Sequence, residues 1–155
     1  MSLSALRSAL VTRLASVTDI GLVHERERFA ANEAAFRALY LYTPAGGTPH
    51  VRGWWVRRVA TAATSVSSAR ALDVHSWEVR GFMAFDDAAA SEIAFDALIE
   101  SMRAAVAADP ALGGVADPGP LDEPEGLQLV EAGPVRFAGV LCHSAVLTLK
   151  TWSYE

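Results

Sequence analysis

The stretch of residues 71–85 alternates in character along its length, and this pattern constrains the fold more than any other feature of the chain. Consecutive side chains of a strand point to opposite faces, so the alternation predicts one long strand. One face would carry His75, Trp77, Val79, Met83 and Phe85, and the other Val74, Ser76, Glu78, Arg80 and Phe82. We interpret the first set as the face that packs against the core.

The period changes to that of a helix directly after this strand, in the segment FDDAAASEIAFDALIESMRAAVAADP. Its apolar stripe has helical spacing and comprises Phe95, Leu98, Ile99, Met102 and Val106. Asp86 and Asp87 lie near its start, where carboxylates suit the free N–H groups and the helix dipole. We therefore interpret these two acids as capping residues rather than as an acid–base pair.

Two helices and one strand are predicted before this unit. An N-terminal helix carries an apolar stripe of Leu3, Leu6, Leu10, Leu14 and Val17, and a short second helix lies at about residues 34–39. Residues 52–60 are typical of a strand, with Trp54 and Trp55 on opposite faces. The small and polar residues 60–69 show no stripe, which predicts a flexible loop.

The remaining elements complete an α+β pattern. Residues 113–126 are rich in glycine, proline and acids and predict a surface loop, followed by two strands around a turn at Gly133-Pro134, the second running to Glu155. The order predicts a single domain, residues 1–155, with helices packed on one face of one antiparallel sheet of about four strands. A mixed sheet is the alternative. The other face of such a sheet would be available to a partner.

Composition argues against several classes of protein. Apolar residues make up 52% of the 155 residues, but charges interrupt the apolar stretches, so no transmembrane segment is predicted. A net charge of −5 argues against a nucleic-acid partner, because nucleic-acid binders usually present a basic face. One cysteine excludes an internal disulfide framework, and the N-terminus lacks the apolar region of a signal peptide. We therefore expect a cytoplasmic protein.

No arrangement of residues predicts catalysis. Cys142 and His143 are adjacent, but neighbours on a strand point to opposite faces and do not easily meet as nucleophile and base. The histidines lack metal-ligand spacing, although His75 and His143 could face each other across neighbouring strands. The glycine pairs match no phosphate-binding pattern. We predict no catalytic residue, no metal site and no cofactor.

Large and positively charged side chains predict a protein-interaction surface instead. Arginine is enriched at protein interfaces, although a solvated strand edge would also explain these arginines. The opposite orientations of Trp54 and Trp55 imply that both faces of their strand are covered. The segment HERER, residues 24–28, is either solvated or a source of ion pairs between subunits. The predicted interface residues are Arg26, Arg28, Arg52, Trp54, Trp55, Arg57, Arg58 and Arg70.

Three stretches of the chain together resemble the tail terminator, or tail-completion, proteins of long-tailed bacteriophages. LSALRSALVTRLASV is similar to the family's opening helix. WEVRGFMAFDD, running into SEIAFDALIESMRAAVAADPALGG, is similar to its central strand and long helix, and AVLTLKTWSYE to its terminal strand. The loop at residues 113–126 and the Trp54-Trp55 pair depart from that pattern, so a related head–tail joining protein is the alternative.

The resemblance implies a structural protein of the virion tail, without enzymatic activity and present in the host cytoplasm during assembly. It implies a homo-oligomeric ring, expected to be a hexamer, that caps the tail tube, stops its polymerisation and joins it to the head connector. The partners would be other copies of the chain, the tail tube protein and the connector protein. One side of the subunit contact would be residues 52–60, facing the first helix or residues 24–28 of the next subunit.

Alternatives from other classes stay open. A small ligand-binding α+β module would account for the same pattern of elements, and a thiol enzyme would use Cys142 with His143 or His75. The segments 60–69 and 113–126, interpreted as mobile loops, could become ordered when a partner docks.

Overall fold

The structure, a computed structural model, describes residues 2–154, so the Glu155 end of the predicted last strand lies outside the described residues. Its helices are α1 (Leu3–Ala15), α2 (Glu33–Ala38) and α3 (Ser91–Ala108), with a 3₁₀ turn at Asp87–Ala89. Its strands are β1 (Leu22–His24), β2 (Leu41–Tyr42), β3 (His50–Ser67), β4 (Arg70–Ala84), β5 (Gln128–Phe137) and β6 (Val140–Tyr154).

The strands form one mixed sheet of six, in the order β1-β3-β4-β6-β5 with β2 also paired to β3. The four long strands are antiparallel to one another, whereas β1 is parallel to β3. The fold is α+β, but the prediction of about four antiparallel strands is wrong. Strands as short as β1 and β2 contain too few residues to show alternation, so the sequence pattern does not reveal them.

Helices cover both faces of the sheet, which corrects the prediction that they lie on one. α1 and α3 pack on the first face, where a continuous core joins Leu6, Leu10, Phe95, Ile99 and Met102 to Trp54, Trp77, Val79 and Leu147 of the strands. We call this the main core. α2 lies on the second face, where Phe36 packs against a smaller cluster of Tyr40, Val51, Trp55, Phe82 and Cys142. A single aromatic residue on a one-and-a-half-turn helix gives no stripe that would assign the helix to a face.

Trp54 lies at the centre of the main core. Its ring stacks on Phe95 at a centroid distance of 5.4 Å, and its Nε1–H donates to the carbonyl of Ile20 at 2.8 Å. Gly81 is its direct partner on β4, and a Cβ at Gly81 would lie 2.0 Å from the indole ring. The indole therefore fits flat over β4 because residue 81 has no side chain.

The predicted loop at residues 60–69 is instead part of a long hairpin. β3 continues to Ser67, and β4 begins at Arg70, so the only turn residues are Ser68 and Ala69. Residues 57–71 are all exposed, and alternation reveals a strand only when one of its faces is buried. The small polar composition therefore indicated exposure and was wrongly interpreted as flexibility.

The second hairpin turns at a different place from the predicted one. Gly133 and Pro134 lie inside β5, and the turn consists of Ala138 and Gly139, whose φ angles are 51° and 75°. Two positive φ angles suit the tight turns that match the twist of antiparallel strands. Pro134 is tolerated because β5 is an edge strand, where a missing N–H need not disrupt a ladder.

Asp86 and Asp87 do not cap α3. The 3₁₀ turn separates them from the helix, which begins at Ser91 after Ala90, and the Asp86 carboxylate makes no capping hydrogen bond. The side-chain hydrogen bond at this junction is made by Ser91 instead, whose Oγ accepts the backbone N–H of Asp86 at 2.9 Å. This bond ties the end of β4 to the start of α3.

The acidic loop at residues 117–126 runs along the free edge of β6. The Asp117 N–H donates to the Trp152 carbonyl at 2.9 Å, and the Asp117 carboxylate accepts the Tyr154 N–H at 2.8 Å. Trp152 also lies against Gly119. The surface loop predicted at residues 113–126 is therefore present, but it is bonded to the sheet rather than extended into solvent.

Candidate interaction surface

The adjacent Cys142 and His143 lie on opposite faces of β6. Cys142 is fully buried in the cluster beneath α2, and burial raises the pKa of its thiol to about 11. A thiol with that pKa is almost entirely protonated near neutral pH, and the thiolate is the nucleophilic form. His75 and His143 do not face each other either, because His75 pairs with Thr151 and His143 with Met83.

His143 has a partner that the sequence did not indicate. Its Nε2 lies 2.8 Å from Ser91 Oγ, and both side chains are buried. Because Ser91 Oγ already accepts the Asp86 N–H, its own hydrogen is available for His143 to accept. The pair therefore links α3 to β6 beside the main core, where the His143 ring also stacks on Phe95. Ser91 and His143 are far apart in sequence, and neither stands in a recognisable motif.

The same bond predicts a pH-dependent stability. Burial lowers the pKa of His143 from its ordinary value of 6.5, while the nearby Glu92 and Asp96 carboxylates act in the opposite direction. The folded state then binds a proton less readily than the unfolded state. The stabilisation is present above about pH 6.5 and is lost as the pH falls through the lower folded pKa. This stabilisation is measured by urea unfolding of the wild type and of His143→Gln at about pH 7.5 and about pH 5.5.

We expect a smaller loss of stability on acidification in His143→Gln than in the wild type. His50→Gln is the control, since the His50 ring contacts only the nearby Thr48 carbonyl among the hydrogen bonds of the described residues. Equal pH dependence in all three proteins would show that His143 does not titrate between the two states.

Two of the predicted interface residues are covered within the chain. Trp54 is fully buried in the main core, and Trp55 is 3% exposed. Trp55 is enclosed on its outer side by Arg57 and Arg80, whose guanidinium carbons lie 5.1 and 5.7 Å from the ring centroid. Both faces of β3 are thus covered here within one chain, as the orientations of the two tryptophans predicted, and their coverage gives no evidence for or against a second subunit.

Arg57 is engaged in an ion-pair network above Trp55. It contacts Glu27 and Glu78, each at 3.2 Å, and Arg80 contacts the same Glu78 at 2.8 Å. Glu27 belongs to the HERER segment, which therefore pairs with β3 of its own chain. Arg52 is also held internally, because it donates to the Asp19 carbonyl at 3.0 Å and lies over the Tyr42 ring.

The other four arginines separate into two places. Arg26 and Arg28 lie between β1 and α2, where Arg26 pairs with Glu25 and the Arg28 N–H donates to the Tyr40 hydroxyl. Arg58 and Arg70 lie on the β3–β4 hairpin, Arg58 beside Thr61 and Arg70 over the Tyr154 ring. The structure therefore does not bring the eight predicted residues together into one surface.

We define the arm as residues 57–71, the exposed part of the β3–β4 hairpin. It carries Arg57, Arg58 and Arg70 and no acidic residue, although the chain as a whole has a net charge of −5. Beyond Trp55, the outer edge of β3 has no strand partner in the part of the chain that the structure describes. An unpaired edge of this kind is a template for another chain.

The opposite lateral edge of the sheet is formed by β5 and exposes several apolar side chains, together with Glu131 and Arg136. Leu129, Val130 and Val135 are 42%, 63% and 38% exposed, and Leu141 on β6 is 50% exposed. The outer side of β5 likewise has no strand partner among residues 2–154. The protomer thus presents two different open edges. The arm edge carries arginines and small side chains, and the β5 edge carries mainly apolar ones.

No protein-family model matches the chain, and no curated protein is significantly similar to it in sequence. Within residues 2–154, no three His, Cys, Asp or Glu side chains are grouped so that they could bind a metal ion. In the same part of the chain, every helix is too short or too polar to span a lipid bilayer.

Proposed function

We propose that the protein is a structural component of a bacteriophage or prophage tail with the role of a tail terminator. In this role, copies of the chain form a ring that caps the tail tube, stops its polymerisation and offers the opposite surface to the head connector. The observation that carries the proposal is the pair of open edges on opposite sides of one sheet. The order of elements and the local patterns that resemble tail terminators support the same role.

Two different open edges favour a ring over a two-fold dimer. In a two-fold dimer the same patch meets itself, whereas a ring joins one patch to a different patch on the next subunit. The basic arm would repel a second arm, because both carry three arginines and no acid. A contact between unlike patches avoids this repulsion and repeats around a closed circle.

The chemistry of the buried groups supports a role without turnover. The one thiol is buried and protonated, and the Ser91 hydroxyl is held between the Asp86 N–H and His143 with 6% of the residue exposed. A nucleophile must reach its substrate, and neither group has the access or the activation that covalent catalysis needs. The proposal therefore assigns the protein to assembly rather than to catalysis.

A ligand-binding module is the second candidate, favoured by one cavity. An apolar cleft lies between the segment after α3 and the end of β6, lined by Val106, Leu112, Ala116, Leu149 and Trp152. Small-molecule sites are typically concave and apolar, with a few polar groups. Native mass spectrometry of purified protein would detect a bound molecule, whose presence at one copy per chain would favour this candidate.

The proposed function is tested first by mass and then in a tail-assembly assay. Light scattering over a concentration series should show a species near six times 16.5 kDa, seen as a ring by negative-stain electron microscopy. A stable dimer at every concentration would contradict the ring.

Deletion of the gene from its phage or prophage should give tails of uncontrolled length that do not join heads. A Cys142→Ser chain should restore normal tails, because the thiol has no role in assembly. Normal, head-joined tails in the deletion strain would overturn the proposed function. Failure of Cys142→Ser to restore tails, with the variant folded, would favour a thiol enzyme.

A further inference from the structure

We infer that the arm of one copy docks against the acidic loop, residues 117–126, of the next copy. This inference deepens the proposed function, since it rests on the self-association proposed above. The acidic loop lies on the same side of β6 as the β5 edge, and it is the part of that side that we assign to the contact with the arm. The partner is a second copy of this chain, as charge, placement in the sheet and the side chains left available all indicate.

The two surfaces carry opposite charge. The arm has three arginines and no acid, whereas the acidic loop, DPGPLDEPEG, contains Asp117, Asp122, Glu123 and Glu125 and no lysine or arginine. Complementary charge steers the approach of two proteins and suppresses wrong pairings. A contact of arm with arm, or of loop with loop, would bring like charges together. The charge pattern therefore selects the contact between unlike surfaces.

Their placement suits a head-to-tail contact. Leu72 of β4 pairs with Tyr154 of β6, and Asp117 bridges to Trp152 on the other side of β6. At this end of the sheet the lateral order is therefore β3, β4, β6, acidic loop. The arm and the acidic loop lie at the same end of the protomer but on opposite sides, so the arm of one copy can meet the loop of a neighbour at the same height.

The arm edge and the acidic loop do not satisfy each other within one chain. Strands are spaced by about 4.8 Å, so three spacings separate β3 from Asp117 by roughly 14 Å. In the part of the chain that the structure describes, no ion pair joins an arm arginine to a loop carboxylate, although Val59 of the arm and Pro124 of the loop line the same cleft across β4 and β6. The complementary charges are therefore available for a contact between chains.

Part of each surface is already used inside the protomer, and the rest defines the contact. Arg57 pairs with Glu27 and Glu78, and Glu123 pairs with Lys150. Within residues 2–154, Asp122 and Glu125 form no ion pair. We assign Arg58 of the arm to the contact, together with Asp122 and Glu125 of the loop.

Apolar side chains accompany these charges. Leu121 is 99% exposed in the acidic loop, and Val59 and Val66 are 49% and 55% exposed on the arm. Covering these side chains on docking would remove apolar surface from water, which favours association. Leu121 of one copy against the valines of the next would form the apolar centre of the contact, with the charges at its rim.

A charge-swap series tests the contact. Arg58→Glu should raise the dissociation constant for self-association about tenfold, since a favourable ion pair is replaced by a like-charge contact. Asp122→Arg alone should have a similar effect, and the double variant should recover most of the lost affinity. Arg26→Glu is the matched control, because it reverses an exposed arginine outside the arm. Sedimentation at about 50 mM and about 500 mM salt measures each constant.

Disulfide capture gives a second readout that does not depend on affinity. Cys142 is buried, so Ala62→Cys on the arm and Leu121→Cys on the loop would be the reactive thiols of the double variant. Oxidation should produce a ladder of covalent oligomers that ends at the ring. Ala62→Cys with Ile93→Cys is the control, because Ile93 is 72% exposed on α3, away from the loop.

The possible outcomes separate the two proposals. Rings that form normally with Arg58→Glu, and give no ladder with the Ala62–Leu121 pair, would overturn the assigned contact and leave the ring intact. Monomers in every sample, including wild type, would overturn both. Salt-sensitive binding of duplex DNA that is lost in Arg58→Glu, with self-association unchanged, would make the arm a nucleic-acid surface and would overturn the contact.

Discussion

Replacement of Trp54 by alanine is expected to lower the free energy of unfolding by about 3–5 kcal/mol. The indole is fully buried, stacks on Phe95 and donates to the Ile20 carbonyl. Its removal opens a cavity at the centre of the main core and leaves that buried carbonyl without its donor. Because domains of this kind are stable by about 5–15 kcal/mol, the loss is a large share of the total. Urea unfolding followed by circular dichroism measures it.

Two variants separate the contributions of Trp54. Trp54→Phe keeps an aromatic ring for Phe95 but removes the donor to Ile20, so it should cost less than alanine. Phe29→Ala is the control for loss of an aromatic ring, because Phe29 is 73% exposed and its removal should change stability by less than about 0.5 kcal/mol. An alanine at position 54 that costs no more than the alanine at position 29 would contradict the packing described.

Gly81→Ala is expected to destabilise the protein by about 1–3 kcal/mol, the range for overpacking a core. The new Cβ would lie 2.0 Å from the Trp54 ring, whereas real Cβ contacts are longer than 3.0 Å. β4 is held between β3 and β6, so its backbone has little freedom to move away. The chain therefore accommodates the methyl group only by displacing the indole. The same urea assay measures the change.

A matched glycine provides the control for this prediction. Gly133 also lies within a strand, but a Cβ there would meet no atom within 4 Å. Gly133→Ala should therefore be close to neutral or slightly stabilising. Combining Gly81→Ala with Trp54→Phe should cost less than the sum of the two, because the smaller ring relieves the clash. Additive effects would show that Gly81 and Trp54 do not interact.

The sequence predicted those helices and strands whose apolar residues recur regularly along one buried face. α1, α3 and the buried half of β4 follow from Leu6, Leu10, Phe95, Trp77 and Val79, because each periodic apolar position meets the same core. Phe85 was assigned to the core face and is 37% exposed, since β4 ends at Ala84 and the chain turns away. Periodicity therefore located the core but not the point at which a strand leaves it.

Elements without a buried face could not be predicted in this way. The end of β3 carries Thr61, Ala63 and Ser65 on one side and Ala60, Ala62 and Thr64 on the other, so both sides have similar polarity. Its extended structure comes from pairing with β4, a long-range constraint that composition does not express. The Gly133-Pro134 pair was misleading for a related reason, because an edge strand tolerates residues that usually mark a turn.

The candidate site was predicted only in part. The sequence correctly separated Cys142 from His143 by the alternation of a strand. It did not reveal that Arg57 is paired with Glu27, because that contact depends on the course of the chain between β1 and α2. The acidic loop was recognised only as a surface loop. Its position beside β6 becomes apparent only with the Asp117–Trp152 bridge.

The pairing of β4 with β6 has a consequence for the order of folding. Each hairpin closes locally, through Ser68-Ala69 or Ala138-Gly139, and hairpins form in about 1–10 μs. The β4–β6 ladder instead joins Ala84 to Cys142 and Leu72 to Tyr154, across α3 and the acidic loop, and such non-local pairing is slow.

During synthesis, β4 emerges well before β6, so one edge of the central strand remains open while α3 and β5 are being made. Unpaired edges in partly folded chains promote aggregation. A nascent chain halted before residue 140 would contain β4, with Trp77 and Val79, but not β6, the strand that pairs with it. Slower translation between α3 and β6 should therefore lower the yield of folded protein without changing its stability.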